Sequence, residues 1–437
     1  MTRSAVASAL AGLQLVEAAA AELPVLVIPR KASHRAVVTM LLRVGSRFES
    51  RADNGVSHFL EHMLYRGSAS NPTAHDLALA FERLGGTLYA ATQSDHGTLA
   101  ISLPPENLEP ACRLFADVVR SPRFSDIEIE RDIVREEILE DLDDDGRQID
   151  ADNLVRALMY KGHPLGFTIT GSLRQLASFD VPALERHHAR HYTGTNAALC
   201  FSGAVDPDAC VRLARELFSD MPKGPRVTVA PPPPPQDAPR LRLVENVSSQ
   251  TDLRIAFRAV GDHDPREPAA EMLLRVLDDG MSTRLYERIC DAKGLCYDVS
   301  ALHESYEDDG VFDVAAECRH ARAPEVLGEV LGLLADLAEH GPTEAELDKA
   351  RDRDGWQMRA LLDDAEGLAH LAAMGTIARI ARTPAERHRE LAAATRAEVR
   401  DAAAAIFRPQ GMSVVAVGMA DAAAQRAIKK ALASFGR

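Results

Sequence analysis

Hydrophobic residues along this chain follow two periods, and the alternation between them predicts its elements. Residues 37–44 (Val-Val-Thr-Met-Leu-Leu-Arg-Val) and 251–258 (Thr-Asp-Leu-Arg-Ile-Ala-Phe-Arg) are short and rich in strand formers, so each predicts an early strand in its half of the chain. Residues 323–339 and 344–363 are alanine-rich with helical spacing, and 125–140 adds a 3.6-residue period behind an apparent capping box from Ser125 to Glu128. Residues 188–206 and 403–421 both predict a helix, a turn, an apolar strand and a glycine. The pattern is that of an α+β chain made of two similar halves, each a mainly antiparallel sheet covered by helices.

The division falls near the middle. Pro231 to Pro235 form an uninterrupted proline run, a stiff extended spacer flanked by Pro225 and Pro239. The expected organisation is a first half over 1–225, a linker over 226–240 and a second half over 241–437.

One pentapeptide of the first half carries chemistry. In His58-Phe59-Leu60-Glu61-His62, a helical step of about 100° per residue places His58, Glu61 and His62 on one face and Phe59, Leu60, Met63 and Leu64 elsewhere. Asp53, Asn54 and Gly55 supply cap and turn residues before it and Gly67 a C-terminal turn after it, which predicts a helix of about ten to twelve residues. Two neutral imidazoles can hold Zn²⁺, but a catalytic site normally takes a third protein ligand and leaves a fourth position open.

The helix at 125–140 is the best source of that ligand. Glu130 and Glu137 lie seven apart on one line running between Ile133 and Val134, and unpartnered carboxylates in an apolar stripe are costly. A metal with hydrogen-bonded neighbours accounts for them, with Glu137 as third ligand and Glu130 as an acid behind the ligands. The bland alternative is a helix whose acids pair with Arg131 and Arg135.

H-x-x-E-H reverses the usual zincin order. With it, Val44-Gly-Ser-Arg-Phe-Glu49, the stretch 54–68, Glu130-Arg-Asp-Ile-Val-Arg-Glu-Glu-Ile138, His163-Pro-Leu-Gly166 and Gly171 make the chain resemble the pitrilysin/insulinase metallopeptidases. The resemblance covers nearly the whole chain and points to the short branch that includes mitochondrial processing peptidase and its bacterial relatives. It implies one zinc per chain held by His58, His62 and Glu137, with Glu61 as the general base, and two halves enclosing a chamber that admits unfolded peptides. A carboxylate one turn from the first ligand suits the base's role.

Two departures from the family's pattern matter. The family carries an Asn-Ala-x-Thr strand that pairs with substrate; here the text is Tyr89-Ala90-Ala91-Thr92, without the Asn. Relatives also carry an Arg and a Tyr seven apart that reach the substrate carbonyl, whereas this chain keeps Tyr297 but has Cys290 in the Arg position. A thiol cannot donate charge-assisted bonds to a developing oxyanion. Either Arg284 or Arg288 substitutes from a neighbouring turn, or a related subunit supplies the cation within a homodimer or heterodimer, as in family members that act in pairs.

Composition narrows the rest. A net charge of −15, with acids concentrated over 126–150, argues against nucleic acid and is compatible with basic peptides or simply with a solvated helix end. No apolar run reaches the ~20 residues of a membrane span. The first residues are rich in Ala and Leu, but Glu17 and Glu22 interrupt them, which argues against a cleaved signal peptide. Six cysteines without C-x-x-C spacing suggest free thiols of a reducing, cytoplasmic compartment. The expected activity is zinc endopeptidase; the alternative is a non-catalytic scaffold or chaperone-like subunit of the same family. The second half has no His pair around Glu271 to Asp279, so its copy of the zinc helix is expected to be metal-free.

Overall fold

The computed structural model describes residues 12–380, 382–419 and 421–435; the first eleven residues, on which part of the signal-peptide expectation rests, lie outside these. The first sheet is built from β1 (Val16–Ala20), β2 (Leu23–Pro29), β3 (Ala36–Leu42), β4 (Leu88–Thr92), β5 (Gly97–Leu103) and β6 (Ala197–Gly203), in the order β1-β2-β6-β3-β5-β4. Only β2 and β6 run parallel; every other pair is antiparallel. The second sheet comprises β7 (Arg240–Val244), β8 (Thr251–Ala259), β9 (Cys296–Ser305), β10 (Gly310–Cys318) and β11 (Met412–Val417), in the order β7-β11-β8-β10-β9. There only β7 and β11 are parallel.

Apart from β1, the two sheets therefore have one topology strand for strand, and the chain is two homologous halves. The helix-turn-strand repeat is Val181–His191 leading into β6 and Arg396–Ile406 leading into β11. All seven residues of β3 are buried, so this strand reads as an apolar run rather than an alternation.

The compact units do not follow a single cut through the sequence. One contains residues up to Leu139, Phe167–Ala230 and Gln357–Ala385; the other contains Glu140–Gly166, Pro231–Trp356 and residues from Glu386 onward. Each half gives a helix to the other's sheet. Ala151–Tyr160 places Leu154, Val155, Met159 and Tyr160 against Ala256, Val311, Val415 and Val417 of the second sheet. Ala365–Ile377 places Leu368, Ala369, Ala373 and Ile377 against Leu26, Ile28, Val37, Leu41, Ala198 and Cys200 of the first. Removing these apolar faces from water, at roughly 25 cal/mol per Å² buried, drives the exchange.

The proline run begins at one of the places where the chain passes from one unit into the other. Before it, Asn196 accepts the Val227 N–H at 2.8 Å and donates to the Pro225 carbonyl at 2.8 Å. After it, Gln236 donates to the Met412 carbonyl at 2.7 Å and so tethers the chain to β11.

Candidate metal centre

The H-x-x-E-H helix spans Val56–Leu64, nine residues, shorter than the spacing suggests. Its entry needs glycine. Gly55 has φ +94°, and a Cβ there would stand 2.5 Å from the Thr170 carbonyl oxygen; Gly171, at φ +76°, would put one 2.4 Å from the Asn54 oxygen. The two glycines let the 168–171 segment close on the helix start.

The cap comes not from Asp53 or Asn54 but from Glu49, a residue that sequence spacing does not single out. Its Oε2 accepts the Gly55 N–H at 2.7 Å and the Asn54 amide at 3.0 Å, and its Oε1 accepts the Ser57 N–H at 2.8 Å. Burial raises the Glu49 carboxyl, and these hydrogen bonds oppose that rise. A negative charge against the first-turn N–H groups also complements the helix dipole. Phe59, Leu60, Met63 and Leu64 are fully buried, while Glu61 and His62 are half-buried on the opposite face.

The second helix spans Ile127–Glu140. Two expectations about it need correction. Ser125 does not form a capping box with Glu128: its hydroxyl donates to the Arg66 carbonyl at 3.3 Å, and Glu128 pairs with Arg131 at 3.0 Å. The inward stripe is Glu130, Val134 and Ile138, whereas Ile129 and Ile133 face solvent at 56% and 50% exposure.

The structure brings His58, His62 and Glu137 together. Glu137 Oε1 lies 3.4 Å from His58 Nε2, and Oε2 lies 3.5 Å from His62 Nε2. Ligand atoms around a tetrahedral zinc with bonds near 2.1 Å stand about 3.4 Å apart, so the donor set fits this ion. His62 Nδ1 donates to Glu130 Oε1 at 2.7 Å, which leaves Nε2 as the nitrogen available to a metal once it is deprotonated, and Arg66 holds the other Glu130 oxygen at 2.9 Å. His58 Nδ1 is buried without a hydrogen-bond partner among the described residues, so that ring is held by packing and by what its Nε2 binds.

The electrostatics show a site built around positive charge. Hydrogen bonds from His58 and His62 hold Glu137 far below the usual carboxylate range, against the opposing effect of burial. Burial lowers the His62 imidazole, yet Glu130 and Glu137 outweigh it and hold the group at about 9. Burial and then the Glu61 carboxylate push the Tyr65 phenol up to about 12; its hydrogen bond with the Ala90 backbone opposes them and links the zinc-motif helix to β4.

Behind the helix runs a buried chain of contacts that the sequence does not announce. Ser57 Oγ and His187 Nε2 are 3.0 Å apart, the His187 and His191 rings 4.3 Å apart, and His191 Nδ1 donates to the Arg43 carbonyl at 2.7 Å. Burial holds both imidazoles neutral, His191 at about 4.

Tyr89, Ala90, Ala91 and Thr92 lie on β4, the edge strand of the first sheet, paired with β5 on one side only. Tyr297 belongs to the second unit and is 94% exposed on β9. Neither nearby arginine is a spare cation. Arg284 pairs with Asp336 at 2.6 Å and Glu346 at 2.5 Å, and Arg288 pairs with Glu329 at 2.7 Å.

The second half fills the corresponding place with ions of its own. Counting back from Gly67 and Gly280, His58 corresponds to Glu271, Glu61 to Leu274 and His62 to Arg275, and the burial patterns coincide over 59–66 and 272–279. The Arg275 guanidinium lies 3.3 Å from Glu271, 3.3 Å from Asp279 and 3.5 Å from Asp354 of the helix Glu344–Ala360. Glu267, Glu271 and His303 also cluster closely enough for a metal, but Arg387 takes both oxygens of Glu267 and Arg275 pairs with Glu271. Guanidinium groups here occupy the carboxylates that a cation would need.

Among the described residues no helix is long and apolar enough to cross a membrane. Residues 25–172 match the family described as insulinase (peptidase family M16), and residues 178–353 match the peptidase M16 inactive domain. An uncharacterized zinc protease of Mycobacterium bovis is 33% identical over 320 residues, 72% of each chain. An uncharacterized zinc protease of Bacillus subtilis is 29% identical over 313 residues, 71% of this chain and 75% of that one. The crystal structure of a peptidase M16 inactive domain from Pseudomonas fluorescens shares the fold, with a TM-score of 0.85 at 22% identity over 94% of this chain and 99% of that one. The chain belongs to the insulinase family of peptidases, peptidase family M16.

Proposed function

We propose that this chain is a zinc-dependent endopeptidase acting on peptides or small unfolded proteins. The observation that carries the reading is the placement of His58 Nε2, His62 Nε2 and Glu137 at separations matching a tetrahedral zinc, with Glu61 on the same helical face. Zinc at these donors would acidify a water and polarise the scissile carbonyl. Glu61 then takes the proton of the attacking water and returns it to the leaving amine. Glu130 fixes the His62 tautomer, and Arg66 fixes Glu130. The edge strand β4, carrying Ala90, Ala91 and Thr92, accepts an extended substrate as an added strand.

The cation for the developing oxyanion comes from a partner. Cys290 cannot supply it, and Arg284 and Arg288 are each committed to carboxylates; a related subunit carrying the Arg completes the site in a dimer, with Tyr297 as this chain's own contribution. A non-catalytic scaffold role is the competing reading, favoured by the same Cys290. The test is hydrolysis of basic and neutral peptides by the purified chain, alone and with related subunits, with and without a chelator. Chelator-sensitive cleavage supports the peptidase; zinc binding without cleavage under any pairing supports the scaffold.

A further inference from the structure

Cys290 and Cys296 lie with their sulfurs 3.9 Å apart. Both are half-buried, while Cys112, Cys200, Cys210 and Cys318 are buried. Cys290 sits on the π-helical turn Glu287–Asp291, and Cys296 is the first residue of β9. Between them residues 292–295 form a short loop in which Gly294 adopts φ +57° and has no heavy atom within 4 Å of its Cβ position. A disulfide needs its sulfurs at about 2.05 Å, so closure takes about 2 Å of movement, which side-chain rotation and this uncrowded loop can supply.

We propose that Cys290 and Cys296 form a reversible dithiol/disulfide site whose oxidised form ties the π turn to the start of β9 and pins the backbone of Tyr297. The oxidant is a small-molecule disulfide of the glutathione class. The Cys290 thiolate attacks one of its sulfurs and expels a glutathione thiolate, which takes up a proton. The Cys296 thiolate then attacks the Cys290 sulfur of the mixed disulfide and expels the second glutathione, so that two cysteine thiols are oxidised and one disulfide is reduced to two thiols.

Burial raises both thiols, Cys296 to about 12, while the contact with Cys296 opposes the rise at Cys290. Because the reaction draws on a small thiolate fraction, its rate should climb roughly tenfold per pH unit above neutrality. Cys318 lies opposite Cys296 in the β9–β10 ladder and is the competing thiol.

Any effect of this bond on turnover rests on the peptidase reading, through Tyr297; formation of the bond does not. The folded full-length chain is incubated with oxidised glutathione at pH 7 and pH 8, alkylated, digested without reductant and mapped by mass spectrometry. The result expected is a 290–296 cross-link with loss of two hydrogens, reversed by dithiothreitol, retained in Cys318→Ser and absent in Cys290→Ser. Amide exchange over 291–299 should slow severalfold in the oxidised chain. Alkylation of both cysteines after the pH 8 incubation, a stable glutathione adduct, or a 296–318 link would overturn the proposal. Formation of the cross-link in a chain that, when reduced and partnered, lacks all peptidase activity would leave this site standing and count against the peptidase reading alone.

Discussion

His62 Nδ1 donates to Glu130 Oε1 across 2.7 Å, joining the helix that carries the H-x-x-E-H motif to the helix that carries Glu137. A carboxylate can only accept, so this bond keeps a proton on Nδ1, and once the Nε2 proton gives way to a metal the lone pair released is the one that faces Glu137, 3.5 Å away. Glu130 is thus a positioning residue, and Arg66 on its second oxygen at 2.9 Å sets its angle. Replacing Glu130 by Gln should weaken zinc affinity about 10- to 100-fold while turnover at saturating zinc falls much less. Competition against a chromophoric chelator measures the first and peptide hydrolysis in excess zinc the second; unchanged affinity would show that Glu130 does not orient the ligand.

Glu49 holds the other end of the same helix. Its two oxygens accept three hydrogen bonds from Asn54, Gly55 and Ser57, so Glu49→Ala leaves buried N–H groups without an acceptor, at a cost of about 1–3 kcal/mol. Urea unfolding monitored by circular dichroism should record that loss, and the zinc-loaded variant should recover part of it because the metal binds only the folded helix. Wild-type stability in the metal-free variant would contradict the capping role.

Arg284 is an anchor rather than an active-site cation. Glu346, its partner at 2.5 Å, is subject to burial, which raises its carboxyl, but the bonds to Arg284 and Thr343 outweigh this and bring it down to about 2. A depressed carboxylate stabilises the fold above the unfolded value near 4.3, and the contribution disappears as pH falls through the folded value. Glu346→Gln should therefore cost about 1 kcal/mol at pH 7, because solvent screens this partly exposed pair, and the difference from wild type should vanish below about pH 2. Arg284→Met should destabilise similarly while leaving turnover per folded, partnered molecule unchanged; a large loss of kcat would return Arg284 to the catalytic machinery.

In the second half, Arg275 stands where the first half has His62. Removing it leaves Glu271, Asp279 and the buried Asp354 without this guanidinium, and breaking such a pair costs about 3–5 kcal/mol. Arg275→Met should be destabilised by an amount in that range, read by urea unfolding, while zinc content stays at one per chain. A second zinc in the variant would mean that the Glu267, Glu271 and His303 cluster had been held empty by the arginine.

The sequence carries the chemistry more plainly than the architecture. His58, Glu61 and His62 are legible because a helix converts fixed spacing into one face, and Glu130 because an acid in an apolar stripe needs a reason; Glu137 stands beside that stripe rather than in it, since Ile133 faces solvent. Strands β3 and β8 and the helix-turn-strand repeat are legible from period alone. Glu49 is not, because its contacts span a loop with no repeat. Nor is the exchange of Ala151–Tyr160 and Ala365–Ile377, since an apolar face says that a helix will be covered but not by which sheet. Ser125 and Glu128 have capping-box spacing, yet the Arg66 carbonyl and Arg131 compete for them more strongly. The partners of Arg284 and Arg288 come from Glu329, Asp336 and Glu346, far along the chain, beyond the reach of any local pattern.

The central claim is that Glu61 moves the proton and does not hold the metal. Zinc content and hydrolysis of a fluorogenic peptide, measured on the same preparations of wild type and Glu61→Gln in the presence of whatever partner gives activity, test it directly. The account predicts one zinc per chain in both proteins, a loss of about 10²- to 10⁴-fold in kcat for the variant, and abolition of wild-type cleavage by a chelator. Equal cleavage by Glu61→Gln, or cleavage that a chelator does not touch, would contradict it.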